Sequence, residues 1–517
     1  MSVSPDLLSQ KAAELAQEYL PLAVDLLKAV IRIPADYVDK SVDQGGDPLC
    51  GLSNHEGPRL ELMRRRILEL GAVDSESDVG FDEFGNLWWQ VEDPDDGVPA
   101  EQKTVIYLDG HTDTVKALRP RWLEKIGGGI DAYDGMVNPE KVNWGFLENE
   151  LGVIPPDGER HHLVFGRGAA DQLSGVVCEV LATKVALALR PLGALKGVIL
   201  RCYATVAEED NDGGGPMYLM QKDIPQNGKN RVPDVVILTE GTGDSQGGAV
   251  GIYRGQRGRM QIEVEIIGRS CHGSMPWEGL NPLEYGGAIL KEAADAYNRR
   301  DGFLDDPFLG HGTRTASMCW LDSPSDCAVP DRFVFRFDRR LTVGESPEQA
   351  VSDVERLAAV KTAREAGLTV NISVPLYTEP TWKNYKPGNA QIYPGWLTPA
   401  EHPAITVAER CYREVCSPQV NVDGGPGRLK QNPRVARWIF STDGVGFPVP
   451  KNDESIPYTE QKRWVVAGDF KHPAMFGIGP GVEQNTHKIG ECVDSREMAL
   501  VIAFLARFPS LYRNAVI

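Results

Sequence analysis

The sequence predicts an α/β protein whose central, mostly parallel sheet is flanked by helices and interrupted by an inserted βαββαβ unit. Apolar runs at Thr104–Leu108, Gly197–Thr205 and Val235–Leu238 have strand length and alternate with helical stretches such as Gly57–Leu70 and Ser174–Ala188. Each run gives way to polar residues, and open α/β sheets bind ligands beyond the carboxyl ends of their strands. From about Gln256 the rhythm changes to strand Met260–Ile267, helix Pro282–Arg299, strand Thr313–Leu321, strand Phe333–Leu341, helix Pro347–Val360 and strand Leu368–Leu376.

Taken in order, Ser4 and Pro5 read as an N-cap and first helical residue before an amphipathic run. Met1 to Tyr37 lacks a basic start followed by an uninterrupted apolar stretch, so a cytoplasmic chain is expected. The βαββαβ pattern, ferredoxin-like in its order, reads as a second domain over 256–376, carried by two crossings from a domain formed by 1–255 and 377–517. After it, Tyr377–Pro403 is rich in Pro, Trp and Tyr without clear period, and Ser417–Pro433 holds several Gly, Pro and Asn; both read as loops or insertions.

A length of 517 residues exceeds one ordinary core, and 42% apolar with 25% charged residues is globular in balance. The formal charge of −19 argues against capture of nucleic acid or anionic lipid and leaves small molecules as partners. Val176–Leu189, the most apolar long stretch, carries Lys184 and Glu179, so it is a buried helix rather than a membrane span. The nine cysteines, at 50, 178, 202, 271, 319, 327, 411, 416 and 492, contain no CxxC pair and read as reduced thiols.

Chemistry-bearing residues gather at the strand ends. Tyr107-Leu108-Asp109-Gly110-His111-Thr112-Asp113-Thr114-Val115 closes a strand on a histidine followed two residues later by aspartate, and a carboxylate beside a ligating imidazole fixes its tautomer. Gly166-Arg167-Gly168-Ala169-Ala170-Asp171 is a small-residue turn delivering one carboxylate before a helix; its two oxygens could bridge two cations. Glu208-Glu209-Asp210 follows another strand, where adjacent carboxylates diverge to bind metal or carry protons. Glu240 ends Val235–Leu238, and Gly477-Ile478-Gly479-Pro480-Gly481 precedes His487 and Glu491. Singly, each has a bland explanation as helix cap, solvated charge or filler histidine.

The order of the set, HxD, turn Asp, Glu-Glu, strand-end Glu and distant His, resembles the di-zinc metallopeptidase and amidohydrolase family. That family includes aminoacylases, succinyl-diaminopimelate desuccinylase, acetylornithine deacetylase, dipeptidases and glutamate carboxypeptidases. The likeness covers nearly the whole chain. It is strongest to a bacterial branch of hydrolases linked to selenium metabolism, through Tyr253-Arg254-Gly255-Gln256-Arg257-Gly258-Arg259-Met260, Ser270-Cys271-His272-Gly273-Ser274 and Asp338-Arg339-Arg340-Leu341-Thr342.

The resemblance implies two divalent ions, zinc by default with manganese or cobalt as alternatives. His111 would bind one ion, Asp171 bridge, Glu209 and His487 hold one flank and Glu240 the other, with Asp113 orienting His111 and Glu208 shuttling protons. Glu209 and Asp210 could replace Glu208 and Glu209 as base and ligand. Substrate contacts fall to His272, reaching the partner subunit's site, to Arg340 on a substrate carboxylate, and to Ser441, Thr442 and Asp443. The inserted unit becomes a lid and dimerisation domain, so a homodimer, or a higher oligomer built from it, is expected.

Several positions depart from the pattern: Leu173 stands where lysine is common, Ser174 for glycine, and Gly241 where proline is common. The stretch Lys116–Phe165 is longer than the usual loop and is expected to shape the pocket. The first functional reading is metal-dependent hydrolysis of an amide, peptide or acyl-amino C–N bond. An alternative is ureido, carbamoyl or amidine C–N cleavage on the same scaffold, and a third is a non-catalytic, metal-stabilised binding protein.

Overall fold

The computed structural model describes residues 5–35, 55–127, 129–135, 139–227, 232–450 and 470–517. Ser4, expected to cap the first helix, and Cys50 lie outside them; the other eight cysteines are free thiols.

The expected strands occur at Thr104–His111, Val198–Thr205 and Val235–Leu238, and with Ala474–Gly477 they form the parallel centre of a nine-stranded sheet. Around that centre the sheet is mixed. Val79–Phe81, Leu87–Glu92 and Trp396–Leu397 add antiparallel partners at its edges, and Gly251–Gln256 meets Ala474–Gly477 antiparallel but Arg434–Trp438 parallel. Short connections such as the turn at 82–86 permit only antiparallel pairing, because a parallel crossover needs a dozen or more residues.

Helices Pro5–Ile31, Leu173–Leu189, Pro403–Val415 and Ser495–Val516 cover one face and share its core. Leu173–Leu189 is apolar on nearly every side because it lies between the sheet and these neighbours. The opposite face packs Tyr107, Tyr203, Tyr253, Trp396 and Trp438. No helix among the described residues is long and apolar enough to cross a membrane.

The inserted unit has its own sheet, in the order Thr313–Asp322, Arg332–Leu341, Gly258–Ile267, Thr369–Ser373, all antiparallel, with Ile392–Tyr393 added to Gly258–Ile267. Its helices bury one face over Ile262, Val264, Phe335 and Phe337. The helix expected over Pro347–Val360 breaks into Pro347–Glu355 and Ala358–Glu365, because Leu357 turns extended (ψ 135°) to bury its side chain. Thr313–Asp322 is an outer strand that leaves Met318, Trp320 and Leu321 exposed.

Candidate metal centre

Three neighbouring parallel strands end at one edge of the sheet and deliver His111, the turn Val206–Glu209 and Glu240 to the same place. A one-step register makes this possible: His111 pairs with Thr205, and Asp109 with Leu238, two residues before Glu240. Asp171 arrives from the turn before helix Leu173–Leu189, and His487 from the loop after Ala474–Gly477.

The five expected ligands meet around Asp171. Its Oδ1 lies 3.0 Å from His111 Nε2 and its Oδ2 lies 2.9 Å from His487 Nε2. Glu209 Oε2 is 3.2 Å from His487 Nε2, and Glu240 Oε2 is 3.6 Å from His111 Nε2. His111, Asp171 and Glu209 offer ligand atoms within 4.8 Å of one another. Glu208 Oε2 stands 3.9 Å from His111 Nε2, while Asp210, the alternative ligand, is exposed and faces an outer cleft.

Asp113 works in two directions. One oxygen sits 3.3 Å from His111 Nδ1, and its carboxylate accepts the backbone N–H groups of Glu208 (3.0 Å) and Glu209 (2.9 Å), tying the histidine loop to the Glu-Glu turn. Sequence reasoning gave Glu491 no role and passed over Arg167. Glu491 Oε1 accepts from Ala170 N and Asp171 N at 3.0 and 3.1 Å, and its other oxygen pairs with Arg167, which also donates to the carbonyl of His487 (3.3 Å). A buried ion pair thus clamps the Asp171 turn to the His487 loop; the glycines around Arg167 were the only local hint.

Charge is crowded here. Burial, helped by the Asp171 carboxylate, pushes Glu240 up to about 8, and burial likewise raises Glu208 and Glu209. Burial opposes protonation of His487, yet Glu209 and Asp171 lift it to about 12; His111 rises for the same reason, through Asp113, Asp171 and Glu240. Asp171, despite its burial, is held far below the usual carboxylate range by the two imidazoles. The buried carboxylates thus draw positive charge to one place, the electrostatic complement of a cation site.

Glu208, Glu209, Asp171, Glu240 and His487 line a cavity of about 330 Å³ together with Arg259, Arg340 and Ser441. Arg340 spends Nε and Nη2 on Asp338 (2.8 and 3.2 Å) and Nη1 on Ser441 Oγ (3.1 Å). Arg259, not singled out from sequence, pairs with Asp212 and Asp338.

Not every expected substrate contact reaches this cavity. Thr442 is buried with its hydroxyl on Gln256 (2.7 Å), and Asp443 is buried beneath the site, accepting from Thr205 (3.0 Å). Burial pushes Asp443 up to about 7, and neither side chain lines the cavity. His272 is exposed on the lid, with Nδ1 held by the N–H and hydroxyl of Ser274 (3.1 and 2.8 Å), away from its own chain's cavity.

The stretch Lys116–Phe165 also differs from expectation: none of its described residues lines the cavity. Trp122, Ile126, Leu147 and Phe165 bury into a small core with Ile489 and Cys492, and Asn485 exchanges bonds with the backbone of Val153 (3.0 and 2.9 Å). The insertion braces the loop that carries His487.

Comparison with known proteins agrees with this architecture. Residues 254–365 match the peptidase dimerisation domain of the M20 peptidases. The uncharacterised protein YgeY of Escherichia coli K12 is 32% identical over 368 residues, spanning 71% of this chain and 76% of YgeY. A succinyl-diaminopimelate desuccinylase of Polaromonas is 24% identical over 313 residues, 58% of this chain and 67% of that one. Among solved structures, the dipeptidase Dug1p of Saccharomyces cerevisiae superposes with a TM-score of 0.61 at 12% identity over 100% of both chains. The dinuclear metal-binding M20 peptidase YXEP of Bacillus subtilis gives 0.54 at 12%, over 97% of this chain and 100% of YXEP.

A strand-end cluster of imidazoles and carboxylates beside an inserted dimerisation domain defines a metallohydrolase of the peptidase type. More particularly, the chain belongs to the M20 family of metallopeptidases and amidohydrolases.

Proposed function

We propose that the chain hydrolyses an amide, peptide or acyl-amino C–N bond in a small substrate, with two divalent cations held by His111, Asp171, Glu209, Glu240 and His487. Asp171 is the observation that carries this reading: its two oxygens face separate imidazoles, the placement a carboxylate needs to bridge two ions. The donor set fits, being imidazole nitrogen and carboxylate oxygen without sulfur, which suits zinc first and manganese or cobalt as alternatives.

Cations bound there supply Lewis acidity, sharpening water as a nucleophile and polarising the substrate carbonyl. The other steps belong to side chains. Asp113 holds His111 through Nδ1, which would leave Nε2 free to bind an ion. Glu208, on the cavity wall, takes a proton from the attacking water and returns it to the leaving nitrogen. Arg340 and Ser441 line the same cavity, where guanidinium N–H groups suit a substrate carboxylate.

Zinc, manganese and cobalt, each supplied to metal-free protein with dipeptides, N-acyl amino acids and ureido acids, test the reading. A released amine supports it; ammonia with carbon dioxide moves the activity to carbamoyl cleavage; silence across the panel rejects both.

Since bound ions displace protons from His487, His111 and Glu240, metal affinity should fall as pH is lowered. The sign follows from the raised values: below them the groups are protonated and compete with the ions, above them they are free to ligate. Calorimetry at pH 7 in buffers of different ionisation enthalpy should register proton release on zinc binding; an affinity flat between pH 6 and 8 would contradict the ligand set.

The dimerisation domain and the exposed outer strand Thr313–Asp322 support a homodimer, in which His272 of each subunit acts in the other's site. Then His272→Ala and Glu208→Gln, each inactive alone, regain about a quarter of wild-type activity when co-expressed, one competent site arising in half of the dimers. A mixture that stays dead places His272 outside the partner's site.

A further inference from the structure

The segment rich in Pro, Trp and Tyr after the lid has a definite shape. Leu376–Tyr377 pairs antiparallel with Asn389–Ala390, and the loop between them reaches onto the catalytic sheet. At its base Asn389 and Asn211 exchange side-chain amide bonds, Asn389 Nδ2 to Asn211 Oδ1 at 3.0 Å and Asn211 Nδ2 to Asn389 Oδ1 at 3.1 Å, with the Tyr393 hydroxyl as a third partner. Both amides are buried, at 0% and 1% exposure, and Asn211 closes the short helix Glu208–Asn211.

At the tip, Trp382 lies against two glycines. Its indole N–H donates to Gly85 O (3.0 Å), and a Cβ on Gly57 would stand 2.8 Å from its ring. Lys383 donates to Asp82 O (2.9 Å) beside it. The residues next to those glycines hold the Glu-Glu turn from its other end: Asn86 Oδ1 accepts Val206 N (3.2 Å) and Glu56 Oε1 accepts Ala207 N (3.1 Å). The turn needs such support, because Ala207 (φ 61°) and Asp212 (φ 43°) both take left-handed conformations without being glycine.

The geometry points to the hairpin Leu376–Ala390 as the element that positions the turn Val206–Asp212, with Asn389 as a positioning residue and Trp382 as its anchor. The inference rests on the roles of Glu208 and Glu209 given above. Asn389 touches neither the ligands nor the cavity; it acts through Asn211. Groups bonded directly to a ligand typically govern metal affinity or activity by about 10–100-fold, and Asn389 and Trp382 reach Glu208 and Glu209 through the turn that carries them.

Asn389→Asp changes almost no volume but sets an acceptor against Asn211 Oδ1 in a dry site. Trp382→Ala removes the anchor, and Gly57→Ala sets a methyl group against its ring. In folded protein, checked by circular dichroism, each should lower kcat about 10–100-fold with KM little changed, and weaken one of two zinc equivalents about tenfold in a competition titration with a fluorescent chelator. Trp382→Phe, which keeps a ring over the glycines, should recover most of both. Wild-type kcat and two wild-type zinc affinities in Asn389→Asp and Trp382→Ala would overturn the inference, even with a lowered Tm. If Asn389→Asp does not fold, the Trp382 pair and Gly57→Ala decide alone. Full turnover by Glu208→Gln would instead reject the base assignment, leaving the zinc titration, which reads Glu209, in force.

Discussion

Asp171→Asn protein should bind at most one equivalent of zinc where the proposed site calls for two in the parent, and its activity should fall to background. The reason is geometric as well as electrostatic. Each carboxylate oxygen of Asp171 faces a different imidazole, and an amide has one oxygen to offer. Its N–H₂ group would stand where one carboxylate oxygen stood, facing one of the two imidazoles. Removing one partner from a buried charged set costs about 3–5 kcal/mol, and each 1.4 kcal/mol is tenfold, so affinity at the bridged site should drop by about 10²–10³ or more. Metal content after gel filtration and a zinc competition titration measure this. The fold should survive, because the turn is still clamped by Glu491 on the backbone of Ala170 and Asp171. Two tightly held equivalents in the variant would remove the bridge from the mechanism.

Glu208→Gln should behave in the opposite way: both metal equivalents retained, KM little changed, kcat lower by about 10²–10⁴. Glutamine keeps the volume and an acceptor oxygen but cannot take a proton from water. Its neighbours stay in place, since Asp113 holds the turn through the backbone N–H groups of 208 and 209 rather than through the side chain. Equal loss of metal and activity would make Glu208 a ligand; unchanged kcat would deny it the proton.

Much of the fold was legible because periodicity is local. The runs at Thr104, Val198 and Val235 are strands within a residue or a few of their expected limits, and the lid elements follow their predicted order. Errors fell where distant partners decide. Leu357 broke an expected helix to reach the lid core, while antiparallel edge strands joined the expected parallel centre.

The candidate ligands were legible for a related reason. Parallel strands all finish at one edge, so a histidine or carboxylate just past an apolar run is delivered to a shared place, and His111, Glu209 and Glu240 are set by counting from their strands. His487 and Asp171 come from loops and could be assembled only through a known pattern of order. Thr442 and Asp443 look polar and loop-borne in sequence, yet their side chains turn down onto Gln256 and Thr205.

By itself, then, the amino-acid order determined which elements form and which chemistry-bearing residues stand at their ends, since backbone hydrogen bonding and apolar period act between near neighbours. Tertiary packing decided what each of those residues touches. The Arg167–Glu491 clamp, the Asn211–Asn389 pair and the Trp382 anchor join positions 324, 178 and 297 residues apart, with Trp382 bonded to Gly85. Such contacts leave no local signature, because a buried hydrogen bond is worth making only when the rest of the core has brought its partner there and excluded the water that would otherwise replace it.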